Sequence, residues 1–484
     1  MKDFHSMMQL IAPVLVALLI SLNASAQADY YIDDTLELNT LGSLEADHAV
    51  IAVNSFGDVI IVNHTAANTS AKSVEVNILA PFGSSVADGY KLYNTELLGD
   101  PSINIFGVAN DTCVKPDAEA LGDDTFLVVW SRHDLSDTQF SRIEACKIIT
   151  RDSNGNLLQQ PQIIAPQAGE GVILHDNSAA GDAGFMPDIA VFNNSGSTQA
   201  IVVFAQEDAR LRAIVNTYRD YSLIAKEIYW PRGSSSPSIL LATTIETDIA
   251  IDNKNTAPYS GGLVLPDAVL DDGGNLTVVY ESYLIAPHNW HLGVSEGSIQ
   301  LRRYSHQSWT HSLSLLDEIE FTGHDQDGHQ RRPMIATSNN DTSNTVAIGW
   351  NDAGIGSTAK NRAHFRGVEF YTSAAGHNPP QVVPWDETFG RADDLAYVAM
   401  SGRAKLMMTS RRLISRRSLT GAFKLPQQSI SYKDFAPAHN HPWRPAIAIH
   451  DLSSSRSLSY ICYEGPSSSN PLLYSIYFTL QELQ

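Results

Sequence analysis

Pro266 to Tyr283 reads PDAVLDDGGNLTVVYESY: a proline, a short apolar strand, a turn of Asp and Gly, and a second apolar strand that closes on an aromatic. Short Val- and Leu-rich runs joined by Gly, Asn, Asp and Ser make a β-hairpin. The phrase recurs along the chain as AVIAVNSFGDVIIVNH from Ala49, PDAEALGDDTFLVVWSRHD from Pro116 and PDIAVFNNSGSTQAIVVFAQED from Pro187. It returns as PMIATSNNDTSNTVAIGWND from Pro333, DLAYVAMSGRAKLMMTSRR after Asp393 and PAIAIHDLSSSRSLSYICYEG from Pro445. Successive anchors lie 52 to 79 residues apart. Polar segments then lead to amphipathic strands: SRIEACKIITRD from Ser141, LRAIVNTYRD from Leu211, GSIQLRRYS from Gly297, RAHFRGVEFY from Arg362 and LLYSIYFTL from Leu472. Helical periodicity is weak throughout. Four strands in a unit of this length read as a propeller blade, and seven units as an all-β, seven-bladed β-propeller of four-stranded antiparallel blades. The last unit offers only three strands, while YYIDDTLELNT from Tyr30 is an orphan strand. Pairing the orphan with Leu472 to Leu480 closes the ring and leaves no open edge.

Residues 1–26 read as a signal peptide. A charged start precedes a 13-residue apolar run, Leu10 to Leu22, and small residues with A-x-A spacing follow it. The run is shorter than a membrane span requires. A secreted or periplasmic protein is expected, with residues 27–484 as one propeller domain and no membrane contact after cleavage. The net charge of −21, from 53 acidic and 32 basic residues, argues against nucleic acid as a partner. A 43% hydrophobic fraction supplies a packed core, and a monomer is expected. Of three cysteines, Cys113 and Cys146 share a unit and are candidates for a disulfide. Cys462 sits in an apolar run and reads as a small core residue.

In a propeller, the residues just before each inner strand and just after each second strand converge at one mouth of the central channel. Before the inner strands stand Lys115, Arg331, Arg332, Arg391 and Arg444, with His324, His329, His439 and His441 nearby. After the second strands stand His64, Arg132, His133, Asp134, Glu207, Asp208, Glu281, Tyr283, Asn351, Asp352, Arg411, Arg412, Tyr463 and Glu464. An acidic chain that gathers scarce cations at one mouth points to an anionic ligand, since guanidinium forks match carboxylate and sulfate geometry. Pairing of these cations with acidic residues of the same rim is the competing reading. His439-Asn440-His441 and His288-x-x-His291 are the metal candidates, but neither alone supplies the three or four ligands zinc needs. A structural divalent metal stays open, and no organic cofactor is expected. Trp130, Phe204, Tyr280 and Trp350 occupy equivalent strand ends and read as core. Trp290, Tyr283 and Trp443 break that equivalence and are candidates for stacking on sugars.

A signal peptide followed by seven such blades resembles the secreted propeller enzymes that degrade polysaccharides, notably the ulvan lyase-like, uronate-cleaving propellers. The resemblance covers most of the mature chain and rests on architecture and residue type. It implies His and Tyr for proton transfer and Arg for neutralising the uronate carboxylate; His133, Tyr283 or Tyr463, Arg132, Arg332 and Arg444 supply those types here. The expected catalytic residues are His133, Tyr283 and Arg332. The expected substrate contacts are Lys115, Arg132, Arg391, Arg444, His441 and Trp290. The resulting expectation is a β-eliminating lyase acting on an anionic polysaccharide. A glycoside hydrolase using Asp134, Glu207, Glu281 or Asp352, and a non-catalytic glycan- or protein-binding propeller, are the alternatives.

Overall fold

The computed structural model of the chain describes residues 29–30, 35–38, 45–66, 71–81, 89–103, 111–134, 141–176, 184–192, 198–208, 218–253, 266–271, 274–284, 296–321, 328–338, 344–354, 361–370, 372–373, 376–377, 381–392, 398–402, 406–414, 416–424, 431–435, 443–453, 456–468 and 473–483. The regular elements among them are β-strands in antiparallel sheets: three of four strands, two of five, a two-stranded ribbon, and one of eight whose two four-stranded halves, joined by a single parallel pairing, are counted below as the third and fourth sheets. Among the described residues no helix is long and apolar enough to cross a membrane. The region read as a signal peptide lies outside them.

Each repeated phrase forms the first two strands of a sheet. Glu45–Val53 pairs with Val59–Ala66, Asp111–Ala120 with Thr125–Asp134, and Gly184–Val191 with Gln199–Asp208. Asp267–Leu270 pairs with Leu276–Leu284, Gly328–Ser338 with Asn344–Gly354, Val398–Gly402 with Leu406–Ile414, and Trp443–Ser453 with Arg456–Pro466. The third strands follow as expected at Ser141–Arg151, Glu296–Gln307, Asn361–Phe370 and Tyr474–Leu483. In the third sheet the corresponding strand is Tyr218–Tyr229, so only the last three residues of LRAIVNTYRD lie on it; 211–217 fall outside the described residues. The sequence reading also missed that sheet's outer strand, the 16-residue Ser238–Asn253. Its end meets the fourth sheet in one parallel pairing, Ala250 with Tyr283.

The first strands form the inner layer. Each touches the first strand of the next sheet in chain order, and Trp443–Ser453 touches Glu45–Val53. The last sheet takes its fourth strand from the other end of the chain: Thr35–Leu38 pairs with Tyr474–Leu483, in the register Thr35 to Thr479 and Leu38 to Ile476. The two-residue strand Asp29–Tyr30 lies instead on the outer edge of the first sheet, against Tyr90–Gly99.

The core lies between sheets rather than within one. Successive side chains on a strand point to opposite faces, so each sheet packs against both neighbours. Val62, Val76 and Ile78 of the first sheet meet Phe126, Val128 and Ile148 of the second. Leu127 and Val129 turn the other way, toward Val202, Phe204 and Ile228 of the third. Ile51 and Ile61 pack against Tyr460, Phe478 and Leu480 of the last sheet, where the Tyr90 and Tyr460 hydroxyls lie 2.7 Å apart. Trp130, Phe204, Tyr280 and Trp350 are all buried, as their repeated position predicts.

The three cysteines are buried free thiols, and burial pushes each well above the ordinary thiol range. This corrects the expected Cys113–Cys146 bridge. Cys113 is on the first strand of its sheet and Cys146 on the third, with Thr125–Asp134 between them. Two strand spacings are about 9.5 Å, beyond the about 7 Å that a disulfide spans between Cα atoms.

Candidate functional site

The inner strands share an irregularity at one end. Register slips by a residue between Asp47 and Val50, Val114 and Asp117, Phe185 and Asp188, Arg331 and Met334, and Trp443 and Ala446. Each slip falls at the repeat anchor, a proline in all but the first. The residues immediately before the anchors are His48, Lys115, Met186, Arg332 and Arg444. His48, Lys115 and Met186 take φ of 51°, 52° and 52°. Left-handed backbone is strained for these residue types, and it persists only where surrounding structure enforces it. A bulge re-aims the side chain it carries. The fold therefore presents the same register position, sheet after sheet, at one end of the inner layer, and four of these five positions hold a basic or imidazole side chain.

At the bulges of the first two sheets the side chains meet one another. The Lys115 ammonium is hydrogen-bonded to His48 Nε2, and the Lys115 amide donates to His64 Nδ1 at 3.4 Å. The His48 and His64 rings lie 4.7 Å apart, and Lys72 Nζ is 3.2 Å from His64 Nε2. The Lys72 amide donates to Thr112 Oγ1 at 2.9 Å. From the last sheet, Glu464 Oε1 accepts the His48 amide at 2.8 Å. Two imidazoles and two ammonium groups thus converge where the first, second and last sheets meet. His48, Lys72 and Lys115 are half-buried and keep access to solvent, while His64 is buried. Sequence reasoning placed Lys115 and His64 at this rim. It missed His48, because Ala49 replaces the proline that marks the register elsewhere, and it missed Lys72.

The other expected residues separate into three groups. Arg132 and His133 lie at the end of the second strand but inside the protein. Arg132 donates from Nε to Glu144 Oε1 at 2.8 Å, and from its terminal nitrogens to the carbonyls of Asp100 at 2.8 Å and Gly169 at 2.7 Å. Arg142 Nε meets the same Glu144 oxygen at 2.7 Å, giving a buried Arg–Glu–Arg cluster that anchors loops. His133 is 2% exposed, its ring 5.6 Å from that of Phe185 in the next sheet, and burial lowers its pKa to about 4. Tyr283, Arg332, Arg391 and Arg444 have described backbone positions on Leu276–Leu284, Gly328–Ser338, Gln381–Ala392 and Trp443–Ser453, but their side chains lie outside the described ones. His441 and Trp290, with His439, His288 and His291, lie outside the described residues altogether. Of the remaining rim groups, Asp134, Glu207, Glu281 and Tyr463 are buried, and burial raises the Tyr463 hydroxyl well above the ordinary phenol range.

Just inside the bulges stand three carboxylates, one residue after the prolines Pro116, Pro187 and Pro266. Asp117 Oδ2 accepts the Ile189 amide of the next sheet at 2.9 Å. Asp188 Oδ2 accepts the Ala268 amide at 2.7 Å, and Asp267 Oδ2 accepts the Ile335 amide at 2.7 Å. Each carboxylate ties its inner strand to the following one. All three are half-buried by surface area, and desolvation raises their pKa values, to about 6 for Asp117 and about 7 for Asp267. Asp188 is raised by desolvation and then by the charges of Asp267 and Asp117. The repeated Pro-Asp pair was visible in the sequence, and its acceptor role follows from the strand-to-strand geometry.

No protein-family model matches the chain, and no curated protein matches it by sequence. Solved structures do resemble it in architecture. Polysaccharide lyase Uly1 is 8% identical at a TM-score of 0.47, covering 95% of this chain and 94% of that one. An alpha-L-arabinofuranosidase from Fusarium graminearum is 10% identical at a TM-score of 0.41, covering 76% and 92%. A B. megaterium levansucrase is 10% identical at a TM-score of 0.37, covering 76% and 94%.

Proposed function

We propose that the sheets are the seven blades of one propeller, closed by Thr35–Leu38, and that the bulged end of its inner layer is the mouth of a site for an anionic polysaccharide. The ring reading is supported by the cyclic contacts of the inner strands and by the pairing of Thr35–Leu38 with Tyr474–Leu483. The observation that carries the functional reading is the shared bulge register, which collects His48, Lys115, Arg332 and Arg444 in a chain of net charge −21.

The reaction is a β-elimination on a uronate unit, carried out by an exported enzyme. Cations at the bulge register bind the uronate carboxylate and stabilise the negative charge that develops as the adjacent C–H proton leaves. His48 takes that proton. Its Nε2 accepts a hydrogen bond from the Lys115 ammonium, so the proton of the neutral ring sits on Nδ1. A bound carboxylate draws the ammonium toward itself and leaves Nε2 open as the base. Tyr283 remains the candidate acid for the leaving oxygen, and Arg391, His441 and Trp290 candidates for contacts along the glycan. Arg132 serves by holding the rim in place. Hydrolysis by paired carboxylates is the weaker reading, because Asp134, Glu207 and Glu281 are buried.

The test is a screen against ulvan, alginate, pectin and glycosaminoglycans. A lyase produces the ultraviolet absorbance of an unsaturated uronate, and His48→Ala abolishes it while glycan retention persists. New reducing ends without that absorbance would replace the lyase by a hydrolase, and retention with neither signal would leave a binding protein.

A further inference from the structure

At the opposite end of the sheets, where first and second strands are joined by turns, the third and fourth sheets share a polar cluster that the mouth does not use. Glu227 is near the end of Tyr218–Tyr229. It follows Leu223 and Ala225 on the face that packs against the fourth sheet. His306 continues the line of Tyr304 on Glu296–Gln307, facing back across the same interface. His311 lies in the turn leading to Ser312–Phe321.

The two rings meet one carboxylate. His306 Nε2 is 2.9 Å from Glu227 Oε2, and His311 Nδ1 is 3.0 and 3.1 Å from Glu227 Oε1 and Oε2. The three ligating atoms lie within 4.8 Å of one another, and this is the group of that kind found among the described residues. Glu227 is fully buried, the His306 side chain is 5% exposed and that of His311 30%. A solvent-side approach therefore ends on a carboxylate at the bottom of the cluster.

The local structure holds these ligands in place. His311 has φ of 47°, the left-handed region, which folds its ring inward rather than away from the turn. The Thr310 amide closes the turn on the Gln307 carbonyl at 3.2 Å. Phe192, from the hairpin turn of the third sheet, packs its ring 5.1 Å from His306 and walls one side.

We infer that Glu227, His306 and His311 form a binding site for a zinc-like divalent transition-metal ion that clamps the third sheet to the fourth. Two imidazoles and one carboxylate are the donor set such ions prefer, and a half-exposed rim leaves a fourth position for water. Ligand atoms on a tetrahedral zinc stand about 3.3 Å apart, from bond lengths near 2.0–2.1 Å. The present nitrogen–oxygen separations need to widen by only a few tenths of an ångström, and His306 and His311 to draw together. The alternative is a buried carboxylate held by imidazolium alone, which needs no ion and binds none.

The full chain, stripped of metal by chelation, is titrated with zinc chloride by calorimetry, alongside His311→Ala and His306→Ala. His311 is on a surface turn, so its variant retains the fold even if His306→Ala does not. One equivalent of zinc should bind the native chain. Loss of either ligand should weaken it by more than the roughly 10–100-fold that removal of an outer-shell partner causes. The melting temperature of the native chain, and not of His311→Ala, should rise on adding zinc. An absence of saturable binding, or one equivalent retained undiminished in His311→Ala, overturns the proposal.

Discussion

A guanidinium on the same stretch of chain can serve a ligand or the fold, and burial decides which. Arg132 has its donors turned inward, onto Glu144 and two loop carbonyls. Removing one partner of a buried pair leaves a charge without compensation, which typically destabilises by about 3–5 kcal/mol. Arg132→Ala should lower unfolding free energy by that order in urea titrations, because Asp111, 3.8 Å from the guanidinium, and Glu144 both lose it. Lys115 is the opposite case, half-buried on a bulge with its ammonium turned to His48. Lys115→Ala should leave the melting temperature within about 2 °C, since truncating a half-buried side chain opens no core cavity, and Arg444→Ala is paired with it as the second binding variant. Glycan affinity should fall by about 1.5–3 kcal/mol, the range for a hydrogen bond to a charged group. Unchanged affinity for every anionic glycan would show that these cations serve the rim alone.

At the scale of the strand, the three Pro-Asp pairs couple their inner strands to the following ones, and they make that coupling sensitive to pH. The folded-state values of Asp117 and Asp267, about 6 and 7, lie above those of an unfolded chain. Protonated carboxyls are therefore favoured by folding, and stability is present below about pH 4 and lost as pH rises through 6 to 7. His133 acts in the other direction, because an imidazole held near 4 when folded must be protonated on unfolding below about 6.5. Asp267→Asn isolates the first effect: its amide oxygen still accepts the Ile335 amide, without charge. The variant should melt above the wild type at pH 8, by a gap on the order of 1–2 kcal/mol after solvent screening, and match it only below about pH 4. A gap independent of pH would place the effect in packing instead.

The strand is also the scale at which the sequence was most legible. The hairpins could be read because their pattern is local: Val- and Ile-rich strands flanking turns of Gly, Asn and Asp. The buried ends at Trp130, Phe204, Tyr280 and Trp350 followed from repetition. The bulge was legible only as a register, through Lys115, Arg332 and Arg444 preceding their prolines. His48 escaped because its sheet has Ala49 at the anchor. Arg132 and His133 sat at the right strand end, yet whether a rim side chain turns outward depends on the loops packed over it, here 100–103 and 169–171. The Glu227, His306 and His311 cluster had no sequence signal, since its members meet only when two sheets face each other.

For the molecule as a whole, the last sheet is the place where the two ends of the chain are joined. Leu38 is 1% exposed and packs with Ile51, Tyr460 and Phe478, so the strand is part of the core as well as of the sheet. Deleting residues through Leu38 should expose the unpaired edge of Tyr474–Leu483, a template for strand addition between molecules. The shortened chain should elute as aggregates on size exclusion, and dilution should reduce their share. A truncated chain that remained monomeric with an unchanged melting temperature would show that the edge is protected in some other way.

That same junction sets an order of events during folding. Most other strand pairs in the molecule are formed by neighbours in sequence, whereas Thr35–Leu38 waits for a partner some 440 residues downstream. Loop-closure entropy grows only slowly with length, but a contact this distant is made after the local hairpins have already condensed. A chain synthesised from its N-terminus thus displays Thr35–Leu38 for a long time without its mate. Amide-exchange pulses during refolding should find Ile476 to Thr479 protected from the Tyr460 side first, and Leu36 and Leu38 last of all.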